Sequence, residues 1–316
     1  MDGITDAPMR AYQGETGAFT FVVSEFLRVS QEVPPKRLFW RHVPELLCGG
    51  TTPTGLPVQV QILGGDPGRM AAAAVIACRA GARGIDINFG CPAPTVNRHD
   101  GGATLLKFPQ RIREIVAAVR TAVPAEVPVS AKLRLGWDTT DSIYENAEMA
   151  AEGGADWLTI HARTRLQGYA PPVCWPSIGG VRERLKLPIV ANGDIWTLDD
   201  FRRCRDETGC RHFMIGRGAL ANPRLARQIA CELGIVSGRP DSDTGAPIDW
   251  IPILKRFVEV TRQFDENLVP HSLRRLKQWL SLAGRHGDFQ HFDAVKRAPS
   301  LEAFVAILCE LGTQKA

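Results

Sequence analysis

The sequence of 316 residues has no apolar run approaching the roughly 18 residues of a membrane-spanning helix, and it shows no signal peptide. Its 8 cysteines include no Cys-x-x-Cys pair, so neither a zinc site nor a disulfide framework has support. Scattered, unpaired cysteines are typical of a reducing compartment. We therefore expect a cytoplasmic protein that binds no metal and inserts into no membrane.

The chain also lacks low-complexity tracts and repeats of solenoid length, and its 44% hydrophobic and 23% charged residues are ordinary for a globular protein. No Gly-x-Gly-x-x-Gly motif opens a strand–helix–strand unit, so a nicotinamide cofactor, if one is used, is expected to be a transient reductant. The net charge of +4 permits a nucleic-acid partner without requiring one.

Short apolar segments alternate with amphipathic segments over most of the chain. Strands are predicted at Phe19–Phe26, Pro57–Leu63, Gly84–Gly90, Pro128–Leu135, Trp157–Ala162, Pro188–Asn192 and His212–Gly216. Helices are predicted at Pro67–Ala80, Pro109–Val123, Asp141–Glu152, Trp175–Leu185, Leu198–Thr208 and Pro223–Leu233. Strands separated by helices predict a parallel sheet.

Polar residues recur at the ends of these strands: Glu25, Gln61, Asn88, Lys132, His161, Asn192 and Arg217. An open doubly wound sheet gathers its ligand groups at one switch point, whereas a closed barrel presents them from every repeat. The pattern therefore predicts an α/β protein with a (β/α)8 TIM barrel. Because seven strands are found and the shortage lies at the beginning, we expect the first barrel strand to be truncated.

After Leu233 the composition changes. Gly234–Asp249 is rich in Gly, Pro, Ser and Asp and is typical of a linker, and the chain beyond Trp250 shows helical periodicity. We predict a barrel domain over residues 1–238 and a helical domain over residues 239–316. The helical domain carries a basic cluster, Arg274, Arg275 and Lys277, which is either a solvated face or a nucleic-acid contact.

Cys91 follows the predicted strand Gly84–Gly90 and precedes a loop with Gly101 and Gly102. The strand end delivers Asn88 and Cys91 to one rim of the barrel, where barrel enzymes carry their reactive groups. Most cysteines are inert small hydrophobic residues. The context of Cys91 instead indicates a reactive thiol.

Two glycine-containing segments end the last two strands and suggest phosphate binding. Asn192, Gly193 and Asp194 end one strand, while Gly216 and Arg217 end the next and open a helix. Barrels commonly bind phosphate at these loops, because glycine lets backbone N–H groups approach an anion. Arg217 adds a charge-assisted contact.

Lys132 and His161 lie at one level of adjacent strands. A lysine in an apolar strand needs a polar environment, because an unpaired buried ammonium is costly. It is either part of a salt bridge inside the barrel or a cation beside a cofactor. His161 is likewise either a hydrogen-bonded core residue or a cofactor ligand.

Taken together, these motifs resemble the tRNA-dihydrouridine synthases over nearly the whole chain, and most of all the members that act on uridine 16. The matching residues are Gln61, Asn88, Cys91, Lys132, His161, Asn192, Gly193, Asp194, Gly216, Arg217, Arg28, Tyr169, Arg275 and Lys277. The opening residues resemble the family's first strand end, and in that alignment Met1 lies on its methionine. The family often has Glu where Asp194 stands.

The resemblance implies FMN at the barrel mouth, reduced by NADPH, with hydride passing from N5 to C6 of uracil. Cys91 would protonate C5. FMN contacts are implied for Met1, Gln61, Lys132, His161, Asn192, Gly193, Asp194, Gly216 and Arg217. Contacts with tRNA are implied for Arg28, Asn88, Arg134, Tyr169, Arg275 and Lys277, and we expect a monomer.

Two alternatives stay open at this point. Dihydroorotate dehydrogenases carry a similar strand-end Asn and Cys-Pro, so the protein could be a flavin oxidoreductase of small molecules, against which the basic helical domain argues. A tRNA-binding relative with impaired catalysis is the other alternative. The presence of Cys91, Lys132 and His161 argues against it.

Overall fold

The computed structural model describes residues 3–98, 100–239, 246–264 and 272–313. Its strands are all parallel and belong to one sheet. In chain order they are β1 Val22–Val23, β2 Leu27–Arg28, β3 Val58–Leu63, β4 Ile85–Asn88, β5 Val129–Arg134, β6 Trp157–His161, β7 Ile189–Asn192 and β8 His212–Met214. Strands β3 to β8 lie side by side in sequence order, and β1 and β2 both pair with β3.

The helices follow the strands as in a (β/α) barrel. They are α1 Ala7–Glu15, α2 Lys36–His42, α3 Pro67–Ala80, α4 Pro94–Asn97, α5 Pro109–Ala122, α6 Ser142–Glu152, α7 Trp175–Arg184, α8 Leu198–Thr208, α9 Arg217–Ala221, α10 Leu225–Glu232, α11 Trp250–Thr261, α12 Ser272–His286, α13 Phe292–Val295 and α14 Leu301–Thr313. Two 3-10 helices, Pro44–Cys48 and Gly102–Lys107, lie in the loops before β3 and after β4.

Only Val22–Val23 of the predicted strand Phe19–Phe26 forms a strand, β1, and a second short strand, β2, follows at Leu27–Arg28, just beyond the predicted range. Val22 pairs with Val58 and Leu27 pairs with Ile62, so both short strands follow β3. Between them the hydroxyl of Ser24, not a backbone carbonyl, accepts the Gln61 N–H at 3.0 Å. The backbone ladder is therefore interrupted at Ser24.

The sheet forms an open barrel in the described residues. They contain no strand between β8 and β1, so these two strands are the edges. The prediction of a parallel TIM-barrel fold is confirmed, and the shortage of one strand at the first position agrees with the sequence pattern.

The barrel core forms because β3 to β7 are buried on both faces while the helices present apolar stripes to the sheet. In α5, Ile112, Ile115, Val116 and Val119 recur at helical spacing and are all fully buried. Proline begins α3 and α5 at positions where a helix has no N–H to satisfy. Because all the strands are parallel, their carboxyl ends, and the loops that follow them, lie at one face.

The helical segment after residue 246 packs against two helices of the barrel segment. Met9 of α1 and Leu220 of α9 join Trp250, Phe257 and Trp279 in a second hydrophobic core. The Trp279 indole N–H donates to the Leu220 carbonyl at 2.8 Å. The division at residue 238 stays a prediction, and part of the predicted linker, residues 240–245, lies outside the described residues.

None of the described helices combines the length and the apolar character that crossing a membrane requires.

Candidate active site

A chain of hydrogen bonds links three neighbouring strands at the carboxyl ends of the barrel. Gln61 of β3 donates from Nε2 to Asp86 Oδ2 at 2.7 Å and accepts from Asn88 Nδ2 at 2.8 Å. Ser130 of β5 donates to Asp86 Oδ1 at 2.6 Å. Asn88 Oδ1 accepts the Gly90 N–H at 2.9 Å. These contacts fix the side chains of Gln61 and Asn88, which the sequence analysis selected.

Lys132 extends this arrangement toward β7. Its Nζ donates to Asn192 Oδ1 at 2.7 Å, and Asn192 Nδ2 donates to the Met214 carbonyl at 2.8 Å. Burial lowers the pKa of Lys132 to about 8, although the charge of Asp86 acts in the opposite direction. Burial raises the pKa of Asp86, against hydrogen bonds from Ser130 and Gln61 and the charge of Lys132. The site thus holds a cation whose proton is more easily lost than in water.

His161 ends β6 beside these groups and keeps an unused polar atom. Its Nδ1 is buried and has no hydrogen-bond partner among the described residues. Burial, followed by the positive charges of Lys132 and Arg134, holds the pKa of His161 well below its usual value. The ring is therefore neutral at physiological pH and offers one donor and one acceptor.

Asp194 is held by two arginines beyond the end of β7. Arg163, which is buried, makes a two-pronged ion pair with the Asp194 carboxylate, and Arg217 Nη2 donates to Asp194 Oδ1 at 3.0 Å. Burial alone would raise the pKa of Asp194, but the hydrogen bond and charge of Arg163 and the charge of Arg217 keep it below the usual value. Asp194 adopts a φ of +49°, in the left-handed region that Asp enters more often than most non-glycine residues.

Two aromatic rings contact the guanidinium of Arg217. Its Cζ lies 4.6 Å from the centre of the Tyr169 ring and 4.9 Å from that of Trp196. Trp196 in turn stacks on His286, the last residue of α12, with ring centres 4.5 Å apart and planes at 20°. The start of α9 is thereby connected to the helical segment.

The backbone conformation at Gly193 disfavours a side chain. Gly193 has a φ of +123°, and a Cβ there would lie 3.3 Å from the Ala162 nitrogen and 3.6 Å from His161 Nε2. The Trp175 indole N–H donates to the Gly193 carbonyl at 3.0 Å and fixes the peptide. Gly216 follows β8 and immediately precedes α9, which begins at Arg217.

The half-buried Cys91 begins the loop after β4, which packs tightly against the site. Its carbonyl accepts the Ala103 N–H at 3.0 Å, and a Cβ on Gly102 would lie 3.1 Å from the Cys91 Cβ. Arg134 holds the start of this loop by donating from Nε to the Gly90 carbonyl at 2.8 Å. The thiol is therefore at the carboxyl edge, as the sequence predicts.

The residues expected to contact tRNA are distributed over four places, three on the barrel and one on α12. Asn88 lies in the network described above. Tyr169 is 56% exposed on the loop after β6, and Arg134 supports that loop through the carbonyls of Thr164 and Gly168 at 3.0 and 2.8 Å. Arg28 is exposed on β2 and donates to the Thr95 carbonyl at 3.1 Å.

The two residues of α12 that are expected to contact tRNA have unlike surroundings. Arg275 pairs with Asp6 at 3.3 Å and with Glu25 at 2.9 Å, so it joins the helical segment to the barrel. Burial raises the pKa of Asp6 to about 6, although the charge of Arg275 lowers it. Lys277 Nζ instead donates to the Ala298 carbonyl at 2.6 Å, within the helical segment. Met1 lies outside the described residues.

Sequence reasoning missed several residues that organise the site: Asp86, Ser130, Arg163, Trp175 and Trp196. Asp86 and Arg163 carried a usable signal, since each is a charged residue at a strand or strand end otherwise rich in apolar residues. Such a residue needs a buried partner. The tryptophans carried none, because their indole contacts depend on loop conformation.

The chain matches the dihydrouridine synthase (Dus) family over residues 1–283 and belongs to that family. It is 44% identical over 287 residues to the tRNA-dihydrouridine(16) synthase of Shewanella oneidensis, covering 90% of this chain and 87% of the relative. The enzyme of the same name from Pseudomonas putida is 42% identical over 286 residues, covering 90% and 86%. That from Neisseria meningitidis serogroup B is 42% identical over 313 residues, covering 97% and 92%.

Two solved structures show the same fold at low sequence identity. A complex of 2-naphthoyl-CoA reductase has a TM-score of 0.56 and 16% identity, with 76% of this chain and 48% of that chain covered. Histamine dehydrogenase from Rhizobium sp. 4-9 has a TM-score of 0.57 and 14% identity, with 81% and 47% covered. The chain spans about half the length of these two proteins.

Proposed function

We propose that this protein reduces uridine to 5,6-dihydrouridine in the D-loop of tRNA, at position 16, with FMN as cofactor and NADPH as reductant. The family match and the names of the relatives support the reaction and the position. The observation that carries the proposal is the convergence of Cys91, Asn88, Lys132 and His161 at one edge of the barrel. The match over residues 1–283 favours this function over a dihydroorotate dehydrogenase type.

The barrel mouth fits FMN in three respects. Gly193 lacks a side chain where a Cβ would meet the backbone, so a ligand can approach the peptide. His161 Nδ1 is buried without a protein partner. Arg217 keeps a guanidinium fixed near the end of β8, where barrels bind phosphate.

Eight described residues would hold the cofactor: Gln61, Lys132, His161, Asn192, Gly193, Asp194, Gly216 and Arg217. Bound FMN supplies the hydride. Lys132 would supply positive charge to the bound cofactor and so favour negative charge on its ring. Asp194 acts through Arg163 and Arg217, because both pair with its carboxylate, and Gly193 and Gly216 offer backbone N–H groups.

Cys91 supplies the proton that the chemistry of uracil requires. Reduction at C6 leaves negative charge shared between C5 and the C4 carbonyl oxygen, so an acid must deliver a proton to C5. The Gly90 carbonyl is held by Arg134 and the Cys91 carbonyl by Ala103, which keeps the thiol at a fixed place on the rim. Asn88, held by Gln61, lies beside it.

The target base must leave its stack to reach this mouth, so the protein needs a surface that holds folded RNA. Arg28 and Tyr169 are exposed near the mouth, and Arg275 and Lys277 lie on α12. These residues, together with Asn88 and Arg134, would position the D-loop. Residues 239–316 form the tRNA-binding domain in this proposal, and the protein acts as a monomer in the cytoplasm.

The proposal is tested by mapping dihydrouridine at each D-loop position in tRNA from a strain without this gene and from the same strain after complementation. We expect loss at position 16 alone and its return on complementation. The purified protein should be yellow and should form dihydrouridine in unmodified tRNA with NADPH. An unchanged dihydrouridine pattern, together with no product from the purified protein, contradicts the proposal.

A further inference from the structure

A second group of side chains at the rim has no part in the site described above. It consists of Lys107, Trp137 and Arg165, here called the Trp137 cluster. Lys107 Nζ lies 3.9 Å from the centre of the Trp137 ring, and the guanidinium carbon of Arg165 lies 4.6 Å from it. Two cations thus share one aromatic ring.

The Trp137 cluster lies on the same face of the barrel as Cys91. Trp137 follows β5 and Arg165 follows β6, so both belong to loops at the carboxyl ends of the strands. The two loops are joined by backbone hydrogen bonds, from Arg165 N to the Gly136 carbonyl at 2.8 Å and from Leu166 N to the Trp137 carbonyl at 3.0 Å. Lys107 ends the 3-10 helix Gly102–Lys107, whose Ala103 donates to the Cys91 carbonyl.

The positive charge of this cluster is not compensated. Within the described residues, Lys107 and Arg165 make neither an ion pair nor a side-chain hydrogen bond, and Arg165 Nε is buried without an acceptor. The neighbouring Asp138 carboxylate accepts the Thr139 N–H at 2.9 Å. Two cations near one ring repel each other, and contact with the ring offsets this only in part. Anions beside these cations would be stabilised.

Aromatic side chains accompany the charges along the rim. Phe108, next to Lys107, is 55% exposed, and Tyr169, on the loop that carries Arg165, is 56% exposed. Cations interleaved with exposed aromatic rings are typical of surfaces that bind single-stranded nucleic acid, where the cations contact phosphate and the rings contact bases. An acidic protein surface would not use the exposed rings in this way.

We propose that the Trp137 cluster binds backbone phosphate of the tRNA substrate next to the uridine that is reduced. This inference rests on the proposed function. Lys107 and Arg165 each contact one backbone phosphate, while Trp137 is a positioning residue that holds both cations at the rim. The cluster is separate from Arg275 and Lys277, which lie on α12.

The test replaces both cations, Lys107→Gln with Arg165→Gln, and measures binding of labelled unmodified tRNA over a range of salt concentrations. The slope of log affinity against log salt is negative, and loss of two phosphate contacts should make it less steep by about 1.4, or roughly 0.7 per contact. If the affinities converge near 1 M salt, that slope corresponds to about 25-fold weaker binding at roughly 0.1 M salt.

The matched control is Lys186→Gln with Arg211→Gln. Both residues are exposed and lie in the segments that lead into β7 and β8, at the opposite end of the barrel, and the change in net charge is the same. The control should bind tRNA like the wild type. Retention of FMN and an unchanged melting temperature show that the variants fold.

Three results would overturn the inference. The first is an equal salt slope for the variant and the wild type. The second is an equal loss of tRNA affinity in the variant and the control. The third is a loss of tRNA affinity that is explained by a lower melting temperature of the variant. In each case dihydrouridine formation by the wild type shows that the proposed function itself still holds. If the wild-type protein forms no dihydrouridine in tRNA, the proposed function fails instead.

Discussion

The two sides of the barrel mouth treat polar groups differently. On the side proposed for FMN, polar groups pair with each other: Gln61 with Asn88 and Asp86, and Lys132 with Asn192. On the side proposed for RNA, Lys107 and Arg165 have an aromatic ring as neighbour and no carboxylate within the described residues.

The difference follows from what each side has to hold. A cofactor of fixed shape is bound best by groups that other groups already hold in position, because little has to be reorganised on binding. RNA is itself negatively charged, so cations that have no ion pair within the protein need not break one when the RNA binds. The comparison predicts that changes on the cofactor side disturb folding, whereas changes on the RNA side disturb affinity.

The largest effect is expected for Cys91→Ala, which removes the proposed acid. Dihydrouridine formation should fall by at least about 100-fold, the lower end for general acid catalysis. FMN content and NADPH oxidation without tRNA should stay near wild type. Both are measured on the same preparation, the product by mass spectrometry of digested tRNA.

The control for this variant is Cys48→Ala. Cys48 is exposed and ends the 3-10 helix Pro44–Cys48, before β3 and therefore at the other end of the barrel. It should reduce uridine like the wild type. Undiminished product from Cys91→Ala would show that another group donates the proton.

The second largest effect is expected for Asp86→Asn, within the cofactor network. Asp86 is 1% exposed, accepts from Gln61 and Ser130, and interacts with the charge of Lys132. The amide brings N–H donors toward the donors of Gln61 and Ser130 and leaves a buried donor without its acceptor, so the free energy of unfolding should fall by about 3 kcal/mol. FMN should also be lost during purification.

Denaturant unfolding of FMN-free protein measures this change, with the exposed Asp138→Asn as control. Asp138 accepts from Thr139 at the surface, so its substitution should cost less than about 1 kcal/mol. Equal stability of the two variants would mean that the network does not support the fold.

Much of the fold was predictable because its signals are local. The helices Pro67–Ala80 and Leu198–Thr208 have the predicted bounds, since proline begins the first and the Thr197–Asp200 capping box begins the second. The break between β1 and β2, which leaves only Val22–Val23 of the predicted strand Phe19–Phe26, was not predictable. It depends on a hydrogen bond between the Gln61 N–H and the Ser24 hydroxyl, residues 37 positions apart.

The candidate site was predictable as a set of strand-end residues but not as a network. Alternation along a strand places Asp86 and Asn88 on one face, yet the sequence does not show that Gln61 bridges them. For Arg275, the family resemblance indicated RNA contact. Its pairs with Asp6 and Glu25 arise from the packing of α12 on the barrel, which no local pattern encodes.

A smaller effect, about 2 kcal/mol near pH 8, is expected on the stability of Arg275→Gln, because the variant leaves Asp6 and Glu25 without their cation. The pKa of Asp6 is about 6 in the folded protein, above its ordinary 3.8, so its ionisation costs stability as pH rises through this range. Without Arg275 the folded pKa rises further and the loss continues to higher pH. The difference from wild type should therefore grow from about pH 5 to about pH 8.

Lys277→Gln is the matched comparison on the same helix. It removes one donor to the Ala298 carbonyl and leaves no carboxylate unpaired, so its cost should be about 1 kcal/mol and nearly independent of pH in this range. Parallel pH profiles of the two variants would show that the Arg275 pairs do not contribute to stability.

The smallest effect concerns the aromatic rings that hold Arg217. Trp196→Leu removes one of the two rings beside the guanidinium, a contact that we expect to be worth about 1 kcal/mol. FMN affinity should fall about fivefold, because Arg217 is proposed to bind the phosphate and would be held less firmly. Riboflavin, which has no phosphate, should bind the variant and the wild type equally.

Trp157→Leu, at the amino end of β6, is the control and should leave both affinities unchanged. Equal losses for FMN and riboflavin in Trp196→Leu would mean that the ring supports the barrel as a whole and not Arg217.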